Sequence, residues 1–209
     1  MDMSKKFVHQ LIKETRGEIT CADSFGRIIW AIVLEFRKFH EGKISLSPKD
    51  HSALSKAMNQ VLRSYTDDKP EFVSKRVADV IHSKSIKTNP FDISSTSVGK
   101  IFGTGIKRSV VYEHVVPVKQ LMSQLLLETK SVNDVCNLLS NYPGTALITT
   151  DEDECLTSSG ARQKRDNWKK SYENCYIELL DENEFPIYIV QKTNEIKALL
   201  AKIKLPQKG

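Results

Sequence analysis

The chain has 209 residues, a formal net charge of +5 and 40% hydrophobic residues. This composition can build an ordinary hydrophobic core and excludes an intrinsically disordered chain, and the length fits one domain or at most two small ones. The mild basic excess is compatible with nucleic-acid binding and equally with a solvated lysine-rich surface, so charge alone identifies no partner.

Cysteine spacing and hydropathy bear on metal sites and on cellular location. The four cysteines form no close pair in sequence: Cys21, Cys136, Cys155 and Cys175. A structural zinc site needs two close ligand pairs, so this spacing argues against one. Scattered cysteines predict reduced thiols, and the polar first residues and short apolar runs predict neither a signal peptide nor a membrane span. The sequence therefore predicts a cytoplasmic protein.

The first eighty residues predict three helices. Apolar residues recur at steps of three and four over 22–41, which is the spacing of a helix with one buried face. Ser47 and Pro48 predict the start of a second helix, because serine caps and proline suits the first turn. A third helix is predicted to open at 67–70 and to continue through Ile81. These helices would form a small bundle.

The rest of the chain predicts a connector and a mixed region. Residues 84–105 are rich in serine, glycine and asparagine, which is typical of a loop with one short helix. The elements predicted after it are a strand at 109–116, helices at 118–128 and 131–139, a strand at 146–149, a helix at 151–156, strands at 176–180 and 186–190, and a helix at 193–202. Thr150 is a candidate cap for the helix at 151–156.

Together these elements predict one α+β domain over 1–209 that is predominantly helical. Its N-terminal helical bundle covers 1–88, a loop-rich connector covers 89–105, and a small mixed region with short antiparallel strands covers 106–209. The N-terminal helices also offer faces through which the protein would form a homodimer.

One stretch, Glu113-His114-Val115-Val116-Pro117, combines a carboxylate and an imidazole at a predicted strand end. A carboxylate can bind a divalent cation, and a neutral imidazole can accept a proton from water near pH 7. Hydrolysis of a phosphodiester needs both functions. His114 also has a structural interpretation, as a strand histidine bonded to a backbone carbonyl.

This stretch resembles the opening strand of the HNH, or ββα-metal, nucleases, whose motif typically reads acid-His-aliphatic-aliphatic-Pro. The resemblance implies that His114 is the general base and Glu113 a metal ligand, with Mg²⁺ or Mn²⁺ as the cofactor. The family also places a histidine or asparagine further along the chain. Because no histidine follows His114, the candidates to complete the ligand set are Asp166 and Asn167.

The second feature is a basic segment that contains a tryptophan. Its members, with two cations that precede the Glu-His pair, are the candidate nucleic-acid ligands: Lys107, Arg108, Arg162, Lys164, Arg165, Trp168, Lys169 and Lys170. Cations can contact phosphates while the indole stacks on a base. A solvated helix face with an inward-packed tryptophan explains the same residues.

Two functions follow from these features. The first is a metal-dependent DNA endonuclease, of restriction or phage-defence type, with His114 as general base. The alternative is a non-catalytic protein that binds nucleic acid through 162–170, or an adaptor that binds another protein through its helical half.

Overall fold

The structure is a computed structural model that describes residues 22–66, 69–105, 108–162 and 165–203. It confirms a predominantly helical α+β fold. The chain divides into two compact units, each built from separated segments. The first unit takes Met1–Asp68, His114–Gly144 and Ser159–Trp168, and the second takes Lys69–Glu113, Thr145–Ser158 and Lys169–Gly209. The sequence boundaries at 88 and 105 therefore do not separate the units.

The elements follow one another as short helices and shorter strands. In chain order the helices are α1 (Ala22–His40), α2 (Pro48–Thr66), α3 (Lys75–Ser83), α4 (Val98–Phe102), α5 (Val118–Glu128), α6 (Val132–Ser140), α7 (Thr150–Ser158), α8 (Trp168–Asn174) and α9 (Glu184–Ile203). The strands are β1 (Phe72–Ser74), β2 (Val110–His114), β3 (Thr145–Thr149) and β4 (Leu179–Leu180). Among the described residues, no helix has both the length and the hydropathy of a bilayer crossing.

The first unit is a helical layer in which α1 packs on α2, α5 and α6. Its core is aliphatic and aromatic: Ile29, Val33, Phe36, Met58, Val61, Leu62, Val118, Leu121, Leu125, Val135 and Leu139. Gly26 permits the close approach of α1 to α6, because a Cβ there would lie 2.4 Å from the Sγ of Cys136. The guanidinium of Arg37 donates hydrogen bonds to the carbonyl oxygens of Leu126 and Thr129, which ties α1 to the end of α5.

The second unit is built on a four-stranded sheet of order β2-β3-β1-β4. β1 pairs in parallel with β3, with Val73 opposite Leu147, and antiparallel with β4. Helix α3 packs on β1 and β3, α7 packs on β3, and α9 packs on α3. The core residues of the unit are Val73, Val77, Ile81, Phe91, Ile93, Val98, Phe102, Val110 and Leu147.

A buried glutamate joins the starts of two helices in the second unit. Glu152 is 3% exposed, and its Oε2 accepts hydrogen bonds from the backbone N–H of Thr149 at 2.7 Å and from the Oγ of Ser74 at 2.7 Å. The backbone N–H of Glu152 donates in return to the Oγ1 of Thr149, which completes a capping box at α7. Ser74 also accepts the N–H of Val77 and so caps α3. One carboxylate therefore supports both helices that follow the parallel strands.

The third helix of the predicted N-terminal bundle was predicted to open at 67–70, and that start is wrong. Residues 72–74 form strand β1, and the helix begins only at Lys75, after the cap at Ser74. Phe72 and Val73 extend because they pair with β3, which lies more than seventy residues later in the chain. A partner so distant leaves no periodic signal in the local sequence.

The predicted strand at 186–190 is also wrong, because α9 covers it and starts nine residues before the predicted terminal helix at 193. The backbone N–H groups of Asn183 and Glu184 donate to the Oδ1 of Asp181, and Glu184 accepts from the N–H of Asp181. This capping box starts a helix where the sequence indicated a turn. The β-branched residues that followed it favoured a strand only locally.

The expectation that all four cysteines are reduced is wrong for two of them. Cys155, on α7, and Cys175, just after α8, form a disulfide with a Cα–Cα distance of 5.8 Å. They are 20 residues apart, and the chain between them folds back to bring their side chains together. Cys136 takes no part in a disulfide.

Alkaline pH offers a test of how α9 packs on α3. The hydroxyl of Tyr188 donates a hydrogen bond to the Oδ1 of Asp79 at 3.0 Å. Burial, and then the hydrogen bond to Asp79, raise the pKa of Tyr188 from 10.0 to about 12. A raised folded-state pKa means that the neutral phenol contributes stability that is complete below pH 10 and is lost as pH rises through about 12.

The Tyr188→Phe variant should therefore be less stable than the wild type at neutral pH, and this difference in stability should disappear at high pH. We expect the difference in unfolding free energy between the wild type and Tyr188→Phe, measured in urea, to favour the wild type at pH 8. It should shrink steadily between pH 10 and 12. A difference that stays constant over this window would contradict the role of the Tyr188–Asp79 hydrogen bond.

Candidate nucleic-acid interface

The Glu113–Pro117 stretch lies at a packed strand end. The predicted strand at 109–116 is present as β2, which ends two residues earlier, at His114, and His114 is only 7% exposed. Val115 and Val116 are buried, and the hydroxyl of Tyr142 donates to the carbonyl of Val116 at 2.5 Å. The chain then enters α5 and α6 before the next strand, so the second strand of a ββα unit is not the element that follows. The HNH resemblance itself stays a prediction.

Arg165 fixes the backbone of this stretch. The residue is 2% exposed, and its Nη1 donates to the carbonyl oxygens of His114 at 2.7 Å and Val115 at 3.0 Å. Its Nε donates to the carbonyl of Ala161 at 2.8 Å. A guanidinium presents several donors in a rigid fork, which suits three carbonyls that converge on one point. Arg165 therefore connects Ala161 to the end of β2 through hydrogen bonds.

Gln120, on α5, forms hydrogen bonds with the main chain of Arg165. Its Oε1 accepts the N–H of Arg165 at 2.6 Å, and its Nε2 donates to the carbonyl of Arg165 at 3.2 Å. The residue is thus held by both its main chain and its side chain. Burial and these hydrogen bonds commit the guanidinium of Arg165 to the fold, and a contact of Arg165 with phosphate stays a prediction.

The other predicted nucleic-acid ligands remain at the surface where the structure describes them. Arg162, Lys169 and Lys170 are exposed, and Trp168 is half-buried at the start of α8. Arg108 is exposed, and its Nε donates to the carbonyl of Val110 at 3.0 Å. Lys107 and Lys164 lie outside the described residues.

The predicted metal ligands differ in exposure. Glu113 is half-buried, and Asp166 and Asn167 are exposed. In the part of the chain that the structure describes, no three histidine, cysteine, aspartate or glutamate side chains gather as a ligand group. The set of Glu113, Asp166 and Asn167 stays a prediction.

The end of α8 carries a residue that the sequence did not single out. Tyr176 follows Cys175 with a backbone φ of 54°, and it is 85% exposed. The N–H of Tyr176 donates to the carbonyl of Glu173, and the N–H of Ile177 donates to the carbonyl of Tyr172. These two bonds form a Schellman motif with Tyr176 at the position that glycine usually takes. Because no glycine marked the helix end, the sequence predicted a strand from Tyr176 instead.

In comparisons with known proteins, no family model, curated protein or solved structure matches the chain.

Proposed function

We propose that this protein binds nucleic acid through the basic segment, defined as Arg162–Lys170. The observation that carries the proposal is that the cations of this segment differ in burial. Arg165 is buried and hydrogen-bonded within the fold, whereas Arg162, Lys169 and Lys170 are exposed and can contact phosphates. We include in the proposal a cytoplasmic location, where nucleic acid is present.

The expected binding is modest and depends on salt. Each neutralised phosphate releases counterions, so the slope of log K against log salt falls by roughly 0.9 for each duplex contact. Three exposed cations would give a slope of about −2 to −3. The exposed carboxylate of Asp166 lies within the segment and opposes phosphate binding, so we expect micromolar rather than nanomolar affinity.

The test is fluorescence anisotropy with a labelled 20-nucleotide DNA, as duplex and as single strand, between 50 and 200 mM salt. The triple variant Arg162→Gln, Lys169→Gln, Lys170→Gln should lose about tenfold or more in affinity at 50 mM salt and flatten the salt slope. The matched control is Lys56→Gln, Lys119→Gln, Lys130→Gln, which removes the same charge from other exposed positions. The proposal fails if the wild type does not bind at low salt, or if both variants bind alike.

Metal-dependent cleavage of DNA is a second candidate. The observation in its favour is that Glu113 and His114 end strand β2, with the His114 carbonyl held by Arg165. The ion would be Mg²⁺ or Mn²⁺, and we assign no reaction step to it because the described residues gather no ligand group.

The second candidate has its own experiment. A nuclease should nick supercoiled plasmid with Mg²⁺ or Mn²⁺, and His114→Ala should abolish nicking while the circular dichroism spectrum is preserved. Binding without cleavage, unchanged in His114→Ala, would leave only the first candidate. An uncut plasmid with every divalent ion tried ends the nuclease hypothesis.

A further inference from the structure

Tyr176 has an exposed aromatic ring, and its backbone adopts a conformation that is unfavourable for any residue other than glycine. Its φ of 54° lies in the left-handed region, where a side chain costs free energy and glycine does not. The side chain is 85% exposed, so burial of the ring does not offset that cost. Strained positions of this kind concentrate at functional sites.

The turn that presents Tyr176 is held from both sides. Tyr172 and Ile177 are buried, and the Schellman hydrogen bonds join these residues across the turn at 2.9 Å. Cys175, the residue before Tyr176, is buried and covalently bonded to Cys155 on α7. A seven-residue helix would not persist alone in water, so these attachments fix where its end points. The hydrogen bonds and the disulfide therefore hold the turn in place, with the ring of Tyr176 exposed to solvent.

The exposed face of α8 carries charged side chains of both signs. Lys169, Lys170 and Glu173 all lie on the exposed face of α8, with Glu173 between the lysines in helical projection. The two cations can contact phosphates, and the acid opposes them. Single-strand binding proteins combine cations with aromatic rings, with phosphates on the cations and bases stacked on the rings, and α8 carries two cations along its exposed face and the Tyr176 ring just after its end.

We propose that Tyr176 stacks on an unpaired nucleobase, so that the end of α8 prefers single-stranded nucleic acid over a duplex. Base faces are covered by their neighbours in a duplex, and reaching one requires unstacking. The preference follows from the ring, whereas the general affinity follows from the cations. This inference rests on the proposed nucleic-acid binding and names the form of nucleic acid that the protein takes.

The test compares Tyr176→Ala, Tyr176→Gly and Tyr176→Phe with the wild type, using labelled oligo(dT) of 20 nucleotides and a 20-base-pair duplex. Tyr176→Ala and Tyr176→Gly should weaken single-strand binding about 5- to 150-fold, the range for the loss of one base–aromatic stack. The loss of duplex affinity should be smaller. Tyr176→Phe keeps the ring and should rescue single-strand binding.

The shape of the turn and the charge of Glu173 are tested separately from the ring. Tyr176→Gly relieves the left-handed backbone, so its melting temperature should equal or exceed that of the wild type while its single-strand affinity falls. A misfolded turn would lower both. Glu173→Gln removes the opposing charge and should tighten binding to both nucleic acids.

The outcomes separate this inference from the proposed function. If the wild type binds neither nucleic acid at low salt, the proposed function fails and this inference fails with it. If the wild type binds but Tyr176→Ala binds oligo(dT) equally well, only the inference is overturned, and the ring is left to a protein partner. Equal losses for single strand and duplex would also overturn it.

Discussion

Replacing Arg165 with methionine is expected to destabilise the protein by about 3 kcal/mol, since each buried carbonyl left without its donor costs about 1–3 kcal/mol. The guanidinium is 2% exposed and serves the carbonyls of Ala161, His114 and Val115. Methionine fills much of the volume but donates no hydrogen bond, so these buried acceptors lose a charged donor. Urea unfolding followed by circular dichroism measures the change.

Arg162→Met is the matched control for this prediction, because it makes the same substitution three residues earlier at an exposed site. We expect its effect to stay within about 0.5 kcal/mol. Arg165→Lys should fall between the two, since it keeps the charge and loses the fork. Equal unfolding midpoints for Arg162→Met and Arg165→Met would show that the buried hydrogen bonds contribute nothing net.

The second large effect is expected for Glu152→Ala, at about 2–4 kcal/mol. The substitution removes an acceptor shared by Ser74 and Thr149, and it breaks the capping box of α7. Losing a cap alone costs about 1 kcal/mol, and leaving buried donors unsatisfied adds about 1–3 kcal/mol. Thermal unfolding and amide hydrogen exchange in the first turns of α3 and α7 would report it.

Asp151→Ala is the control for Glu152, because it removes the neighbouring carboxylate in the same helical turn at an exposed position. Its expected cost is about 0.3–1 kcal/mol, from the helix dipole alone. Glu152→Gln retains an oxygen acceptor and should recover part of the loss. If Asp151→Ala is as damaging as Glu152→Ala, the buried network is not what stabilises α7.

Helices with an amphipathic pattern were predictable from sequence because their signal is local. α1, α2, α5 and α6 appear where three- and four-residue spacing or a serine cap predicted them. Strand β2 was also confirmed, since its β-branched and aromatic residues favour extension. The capping box of α7 was available as Thr149-x-x-Glu152, one residue before the cap that the sequence suggested at Thr150.

Features that depend on distant contacts were missed. β1 is three residues long and is defined by its parallel partner β3. The strand predicted at 186–190 followed β-branched residues, whereas the capping box at Asp181 and packing against α3 make that stretch helical. Tertiary context overrode the local preference at β1, whereas at 186–190 a local capping box, together with packing on α3, outweighed the β-branched residues.

The candidate site shows the same limit. A run of basic residues in sequence does not reveal which of them is buried, so Arg165 was grouped with Arg162 and Lys169. The disulfide needed the fold to bring Cys155 to Cys175. Tyr176 could be recognised only from its backbone angle and the exposure of its ring, and without a glycine the sequence does not indicate a helix end there.

The interleaving of the two units has a consequence for how the protein is made. The chain passes from one unit to the other five times, and the first unit is not complete until Trp168. At about 5–20 residues per second on the ribosome, the hundred residues after Asp68 take roughly 5–20 s to synthesise. Until Ser140 has been synthesised, within that interval, the apolar faces of α1 and α2 lack their partners on α5 and α6. We therefore expect the nascent chain to expose these hydrophobic helix faces for several seconds.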